Sequence, residues 1–166
     1  MADQLLEEIY QMYKPLIYNY LYRSTLNHHT AEELTQETFL KVFRFLHQFR
    51  KAASLKTWLF TIARNTYLDY LKKTKQGTIS LESKGIQLMD PYDAIAAMDE
   101  KMVIRRILLK LSEKERTLII LRDQYAFTYR EIAEIMGSTE GQVKVGLHRA
   151  RKKFKTLYLE EKEVSP

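Results

Sequence analysis

Apolar residues recur every three or four positions along most of this chain, as they do on one face of an α-helix. No segment sustains the alternation of apolar and polar residues that is typical of a half-buried strand, and the 166 residues include only 5 glycines and 3 prolines. The 45% apolar content is sufficient for folded cores. We therefore predict an all-α fold.

The helical pattern fades once, over residues 74–94, where glycine, serine and proline accumulate. A connection of about 20 residues is longer than compact domains usually contain. We predict two small helical domains, residues 1–75 and 95–166, joined by a flexible linker over residues 76–94. The second domain is predicted to end in a helix-turn-helix.

The first helical pattern is interrupted by Pro15, so we expect a kink or a new helix there. Thr30 and Glu33 have the spacing of a capping box and are predicted to begin a helix that continues to about Phe49. Leu34, Phe39, Val42, Phe43 and Leu46 could bury one face of this helix.

A further helix is expected from about Ser54 to Lys73, with Trp58 on the side that faces the core. Its opposite side carries Arg64 and Tyr67. Aromatic and cationic side chains on such a face suit unpaired bases and phosphates, although packing against another helix would use the same pattern.

Two short helices separated by a tight turn are predicted within residues 128–153. Thr128 with Glu131 and Thr139 with Gln142 have the spacing of capping boxes, and Gly137 can adopt the left-handed conformation that ends a helix. The same pattern at Ser112 and Glu115 predicts the start of the preceding helix. Because DNA-binding helix-turn-helix units have this layout, residues 128–153 are a candidate DNA-binding element.

The second of these helices has two unlike faces. Its apolar side consists of Val143, Leu147, Ala150 and Phe154. Its polar side consists of Gln142, Lys144, Val145, His148, Arg149 and Lys152. Such a helix could lie in the major groove, where these groups reach base edges and phosphates. An amphipathic hairpin with a solvated basic face would show the same pattern.

The charge balance favours an anionic partner, since the net charge is +6 and residues 144–155 contain six cations and no carboxylate. The absence of cysteine excludes disulfides and thiolate metal sites. We find no leader and no apolar run of about 18 residues, so we expect a cytoplasmic protein.

The sequence shows no constellation typical of an enzyme. The four histidines are scattered or lie in a connection, and no metalloprotease, phosphate-loop or serine-nucleophile motif is present. His28 and His29 with Glu32 could bind a stray divalent ion, but a polar turn is the simpler interpretation. We expect no catalytic residues, no metal and no cofactor.

Three segments together resemble the extracytoplasmic-function group of bacterial sigma factors. They are AEELTQETFLKVF at residues 31–43, LKTWLFTIARNTYLDYLKK at residues 55–73 and LSEKERTLIILR at residues 111–122. The last segment is followed by the helix pair, and the linker separates the first two segments from the third. The resemblance implies a protein that binds core RNA polymerase, directs it to promoter DNA and has no active site of its own.

The resemblance also implies three sets of site residues. Those that would bind the clamp helices of the large polymerase subunit are Glu33, Gln36, Glu37, Phe39 and Leu40. Those that would contact the minus-ten DNA are Arg50, Lys51, Lys56, Arg64, Tyr67, Lys72 and Lys73. Those that would contact the minus-thirty-five DNA are Thr139, Gln142, Lys144, Val145, His148, Arg149, Arg151 and Lys152.

The chain departs from the family at Val145 and Gly146, where relatives often have a small polar residue and an arginine. The usual upstream consensus therefore does not transfer to this chain. Glycine within a helix suggests either close approach of the backbone to DNA or simple tolerance.

The family also implies an anti-sigma partner, often bound to the membrane, although no residue here identifies one. The competing hypotheses are a helix-turn-helix regulator that acts without polymerase and a helical adaptor that does not bind DNA.

Overall fold

The computed structural model describes residues 2–50, 54–75 and 100–164. These residues form helices and connections and contain no β-strand, which confirms the predicted all-α class. The chain divides into two compact units, Met1–Leu88 and Met89–Pro166. The predicted linker, residues 76–94, lies outside the described residues, and so does the beginning of the predicted second domain at residue 95.

The described part of the first unit contains three α-helices and one 3-10 turn. They are α1 (Ala2–Thr25), α2 (His28–Phe45), the 3-10 turn Leu46–Gln48 and α3 (Leu55–Lys75). Each of the three α-helices packs against the other two. The residues buried between them include Ile17, Leu21, Leu34, Val42, Leu59 and Ala63.

Of the two alternatives expected at Pro15, no new helix begins there, because α1 continues through it. Both expected boundaries of α2 are wrong. The N-cap residue of α2 is Asn27, whose side chain accepts a hydrogen bond from the Thr30 amide at 2.9 Å. Thr30 is therefore already inside the helix and is buried. The chain also leaves the α-helical conformation at Phe45, earlier than the expected end near Phe49.

The orientation of α3 also differs from the prediction. Arg64 and Tyr67, whose side of the helix could have met DNA or another helix, are 5% and 4% exposed, so this side packs within the unit. The Tyr67 hydroxyl donates to the Ser24 carbonyl of α1 at 3.0 Å. Trp58, expected in the core, is only half-buried. Because α3 contacts both α1 and α2, it buries a wider arc than a single apolar stripe would indicate.

The described part of the second unit contains four α-helices and a π-helical turn. They are α4 (Glu100–Lys110), α5 (Glu113–Ile119), the π-helical turn Ile120–Gln124, α6 (Tyr129–Met136) and α7 (Glu140–Val164). The long helix α7 packs against α4, α5 and α6. The predicted capping box at the start of α5 is confirmed, since the Glu115 amide donates to the Ser112 hydroxyl and the Ser112 amide donates to the Glu115 carboxylate.

Among the described residues, no helix is both long enough and apolar enough to cross a membrane.

Candidate nucleic-acid and polymerase interfaces

The helix pair α6–α7 has the local structure that the capping patterns predicted. The Thr128 hydroxyl accepts from the Glu131 amide at 3.1 Å and begins α6. The Glu131 carboxylate accepts from that hydroxyl at 3.0 Å rather than from the cap amide, so this capping box is only half formed. Gly137 ends α6 with φ of 62°. The second capping box is complete, with reciprocal bonds of 3.2 Å between Thr139 and Gln142.

The two faces of α7 are also as predicted. Val143 and Leu147 are each 1% exposed, Ala150 is fully buried, and Phe154 is half-buried. The exposed side chains on the other face are Gln142, Lys144, Val145, His148, Arg149 and Lys152. An apolar stripe thus anchors α7 to its unit, while amide, imidazole and cationic groups face outward.

The cations on α7 differ in how firmly they are held. The Arg151 guanidinium forms two hydrogen bonds to the Asp123 carboxylate, one of them from Nε at 3.2 Å. This pairing raises the pKa of Arg151 above its ordinary value. Lys144, Arg149 and Lys152, in contrast, form no ion pair with any described residue. These three cations of the outward face are therefore available for phosphates.

Lys153 is engaged within the unit, because its ammonium group lies 3.2 Å from the Glu115 carboxylate. Burial alone would raise the pKa of Glu115, but the hydrogen bond from the Ser112 amide and the Lys153 ammonium together hold it below its ordinary value of 4.5. This ion pair joins the first turn of α5 to α7.

The outward face of α7 is part of a shallow concave surface. Its lining residues are Tyr129, Lys144, Val145, Leu147, His148, Arg149 and Arg151. Sequence reasoning missed Tyr129, the first residue of α6, whose ring lies 4.9 Å from the guanidinium carbon of Arg122. The position directly after the Thr128 cap could have indicated it, because the first turn of a helix-turn-helix faces the DNA backbone.

Gly146 does not lie on this outward face. A Cβ built on it would lie 2.9 Å from the Leu118 Cδ1 atom of α5. The expectation that Gly146 allows close approach to DNA is therefore wrong. The glycine lets α7 approach α5 closely.

In the first unit, α2 presents most of the predicted polymerase-binding residues on its outer side. Glu33 and Gln36 are exposed, Glu37 is partly exposed, and Leu40 is 67% exposed. Phe39 is an exception at 2% exposed, with its ring edge-on to Tyr10 at 5.1 Å.

The burial of Phe39 agrees with the apolar face predicted for this helix and contradicts its place among the polymerase-binding residues, because Phe39 points toward α1. Phe43, expected to be buried, is 37% exposed and lies three positions after Leu40. The i, i+3 spacing could have indicated that these two side chains share a face. Leu40 and Phe43 therefore form an exposed apolar pair on α2.

Among the predicted minus-ten residues, the expectation that Arg64 and Tyr67 face DNA is wrong, because both are buried between α1, α2 and α3. Three others lie at the surface: Arg50, Lys72 and Lys73 are exposed. Lys56 is half-buried, and Lys51 lies outside the described residues.

Aromatic residues precede and follow the cationic segment 50–56 in the sequence. Phe49 and Trp58 pack together with ring centroids 5.2 Å apart, and both are only half-buried. The sequence pattern had assigned Trp58 to the core.

Two histidines of the first unit, His28 and His29, are engaged with neighbouring side chains. His28 stacks on Tyr22 with ring centroids 4.1 Å apart, and its Nδ1 is hydrogen-bonded to the Tyr18 hydroxyl. His29 Nε2 lies 3.0 Å from the Glu33 carboxylate. Within the described residues, no three acidic, histidine or cysteine side chains are grouped to hold a metal ion.

Comparison with known proteins matches both units to one family. Sigma-70 region 2 matches residues 9–77, and Sigma-70 region 4 matches residues 101–154. The RNA polymerase sigma factor YlaC of Bacillus subtilis (strain 168) is 33% identical over 163 residues, which cover 95% of this chain and 94% of the relative. The ECF RNA polymerase sigma factor SigM of the same organism is 34% identical over 92% of this chain and 94% of its own length.

This chain belongs to the extracytoplasmic-function sigma factors.

Solved structures agree on the fold of this sigma factor. The sigma factor RpoE in complex with the anti-sigma factor NepR, from Bartonella quintana, has a TM-score of 0.73 at 24% identity and covers 96% of this chain and 98% of its own. CnrH in complex with the cytosolic domain of CnrY has a TM-score of 0.71 at 19% identity, covering 93% and 88%. The function of the sigma factor is to direct RNA polymerase in transcription initiation.

Proposed function

We propose that the second unit binds the upstream promoter element with α7 in the major groove. The observation that carries this proposal is the two-sided structure of α7, whose buried stripe leaves amide, imidazole and cationic groups facing outward. Gln142 and His148 would face base edges, since both can donate and accept hydrogen bonds there. Lys144, Arg149 and Lys152 would bind phosphates on either side.

In the first unit, the outer side of α2 would bind the clamp helices of the large polymerase subunit. Leu40 and Phe43 supply apolar contact area, and Glu33, Gln36 and Glu37 surround it with polar groups. This arrangement of an apolar centre and a polar rim is typical of protein interfaces. Phe39 would act only by supporting the helix from within.

The minus-ten contacts would come from residues around the loop that precedes α3. Arg50, Lys51 and Lys56 would neutralise phosphates, and the Phe49–Trp58 pair offers ring surface for an unstacked base. Lys72 and Lys73 would extend the basic surface along α3. Arg64 and Tyr67 would hold α3 in place.

The sigma factor would have no catalytic activity of its own. We further propose that it acts in the cytoplasm with core polymerase. An anti-sigma protein, either bound to the membrane or free of it, would cover its binding faces. The relatives crystallised with NepR and with the cytosolic domain of CnrY support this partner class.

Reconstitution tests the whole proposal. The full chain is mixed with core polymerase that lacks any sigma subunit, and both complex formation and transcription from genomic fragments are measured. Leu40→Glu should prevent complex formation, whereas Leu5→Glu, at a 51% exposed position on α1, should not. Failure of the wild type both to bind core polymerase and to start transcription would overturn the proposal. Specific DNA binding without core binding would instead support a polymerase-independent regulator.

A further inference from the structure

Val145 stands out on the outward face of α7 because it is apolar. Its side chain is 50% exposed. Residues 128–154 are all described, and among them Val145 is the one large apolar side chain that is exposed. An exposed valine on a soluble surface is unremarkable by itself. What distinguishes Val145 is its position on the outward face of α7.

The helical geometry places Val145 in the middle of the outward face. At about 100° per residue, Val145 points roughly opposite to the buried Val143 and Leu147. His148 lies about 60° to one side, and Arg149 lies about 40° to the other. The one apolar group is therefore surrounded by groups that can bind bases and phosphates, where a docked base pair would be closest.

The surface next to Val145 is open toward the beginning of α7. A Cβ built on Gly141, one turn before Val145, would meet nothing within 4 Å. Lys144 and Arg149 line the same concave surface and could hold phosphates on either side of the groove. The floor of the major groove could thus reach the valine methyl groups.

The bases differ in what they offer such a side chain. In the major groove, thymine presents a 5-methyl group beside its O4 acceptor, whereas the other three bases present donors and acceptors and no methyl group. An isopropyl group that covers a donor or an acceptor removes its water without replacing the hydrogen bond. Val145 should therefore favour thymine over the other three bases at the position that it contacts.

We infer that Val145 reads the 5-methyl group of a thymine in the upstream promoter element. This inference rests on the proposed function, since it assumes that α7 lies in the major groove. It assigns to Val145 a role in base preference that does not depend on hydrogen bonding. It also explains how the chain can discriminate bases where its relatives often use a polar side chain.

The test replaces thymine by deoxyuridine, which changes only the methyl group. The upstream element is first located by footprinting the reconstituted holoenzyme on a fragment from which it starts transcription. Each thymine of that element is then replaced singly, and holoenzyme affinity is measured. One replacement should weaken binding about fourfold, equal to ~0.8 kcal/mol at 1.4 kcal/mol per tenfold, the value of one buried methylene group.

A double-mutant cycle then connects the methyl group to the side chain. Val145→Ala should weaken binding to the thymine element by a similar factor, and in that variant the deoxyuridine replacement should have no effect. Leu159→Ala is the matched control, because Leu159 is 53% exposed on the same helix but lies about 21 Å further along it. This control should retain the full deoxyuridine effect.

Three outcomes would count against the inference. If no deoxyuridine replacement weakens binding, or if Val145→Ala retains the full effect, the inference is wrong while the proposed function stands. If the wild type neither binds core polymerase nor starts transcription, the proposed function fails and the inference fails with it.

Discussion

The replacement Gly146→Ala tests how closely α7 packs on α5. Gly146 lies in the interior of α7, and a Cβ there would lie 2.9 Å from the Leu118 Cδ1 atom. Leu118 is 6% exposed, so its methyl groups are surrounded by other core atoms. The new methyl group therefore cannot be accommodated unless Leu118 or the helix moves.

Two opposing effects set the size of the change. Alanine is favoured over glycine within a helix by about 1 kcal/mol. The contact would be roughly 0.6 to 1 Å shorter than the ordinary carbon–carbon separation, and overpacking of a core typically costs about 1 to 3 kcal/mol. We expect Gly146→Ala to leave the free energy of unfolding of the second unit unchanged or to lower it by up to about 2 kcal/mol.

The decisive measurement repeats the replacement where the clash is absent. In a Leu118→Ala background, Gly146→Ala should stabilise the second unit by about 1 kcal/mol, since only the helix preference remains. The difference between the two backgrounds, about 1 to 3 kcal/mol, is the coupling between Gly146 and Leu118. This coupling can be measured by hydrogen exchange of the α7 amides in the full chain at a series of urea concentrations.

Gly141→Ala serves as the control for this experiment. It lies on the same helix, but a Cβ there would meet nothing within 4 Å, so its effect should be the same in both backgrounds. If Gly146→Ala stabilises the second unit by about 1 kcal/mol in both backgrounds, then Leu118 yields freely and the close-packing argument is refuted.

Three further predictions concern charge and burial. Lys152→Ala should lower the slope of log DNA-binding affinity against log salt concentration by about 0.9. Arg151→Ala should lower this slope less, because Asp123 already holds that guanidinium; equal slopes for the two variants would contradict this difference between Lys152 and Arg151. Tyr67→Phe should destabilise the first unit by about 1 kcal/mol through loss of its buried hydrogen bond. This change can be measured by tryptophan fluorescence in urea. Defective promoter opening at unchanged stability would instead indicate that Tyr67 contacts DNA. The pKa of Glu115 is lowered in the folded state, so its contribution to stability is present above its ordinary pKa of 4.5 and is lost as the pH falls through the folded pKa. In Glu115→Gln, the free energy of unfolding measured in urea should therefore depend less on pH between about pH 3 and 5. The same pH dependence as the wild type would exclude this role.

Much of the second unit could be predicted because its signals are local. A capping box joins residues three positions apart, and the left-handed turn at Gly137 depends on that residue alone. The buried stripe of α7 follows from residues three and four positions apart. Local patterns were therefore sufficient to predict the fold class, the helix pair and its outward face.

The orientation of α3 could not be predicted in this way, and threonines are one reason. Thr57 and Thr66 are buried at 2% and 1% exposed. The Thr66 hydroxyl donates to the Ile62 carbonyl of its own helix at 2.8 Å, so the side chain can enter the core without an unpaired polar group. A search for apolar residues counts such positions as solvent-facing and rotates the predicted core face away from them.

By itself the sequence determined the helices, most of their caps and the unlike faces of α7, because these depend on neighbours within a turn or two. Only the tertiary structure decided that Arg64 and Tyr67 are buried, that Phe43 is partly exposed, and that Gly146 faces α5. The physical reason is that burial depends on how many helices cover a given face. The contacts that cover it come from residues distant in the chain.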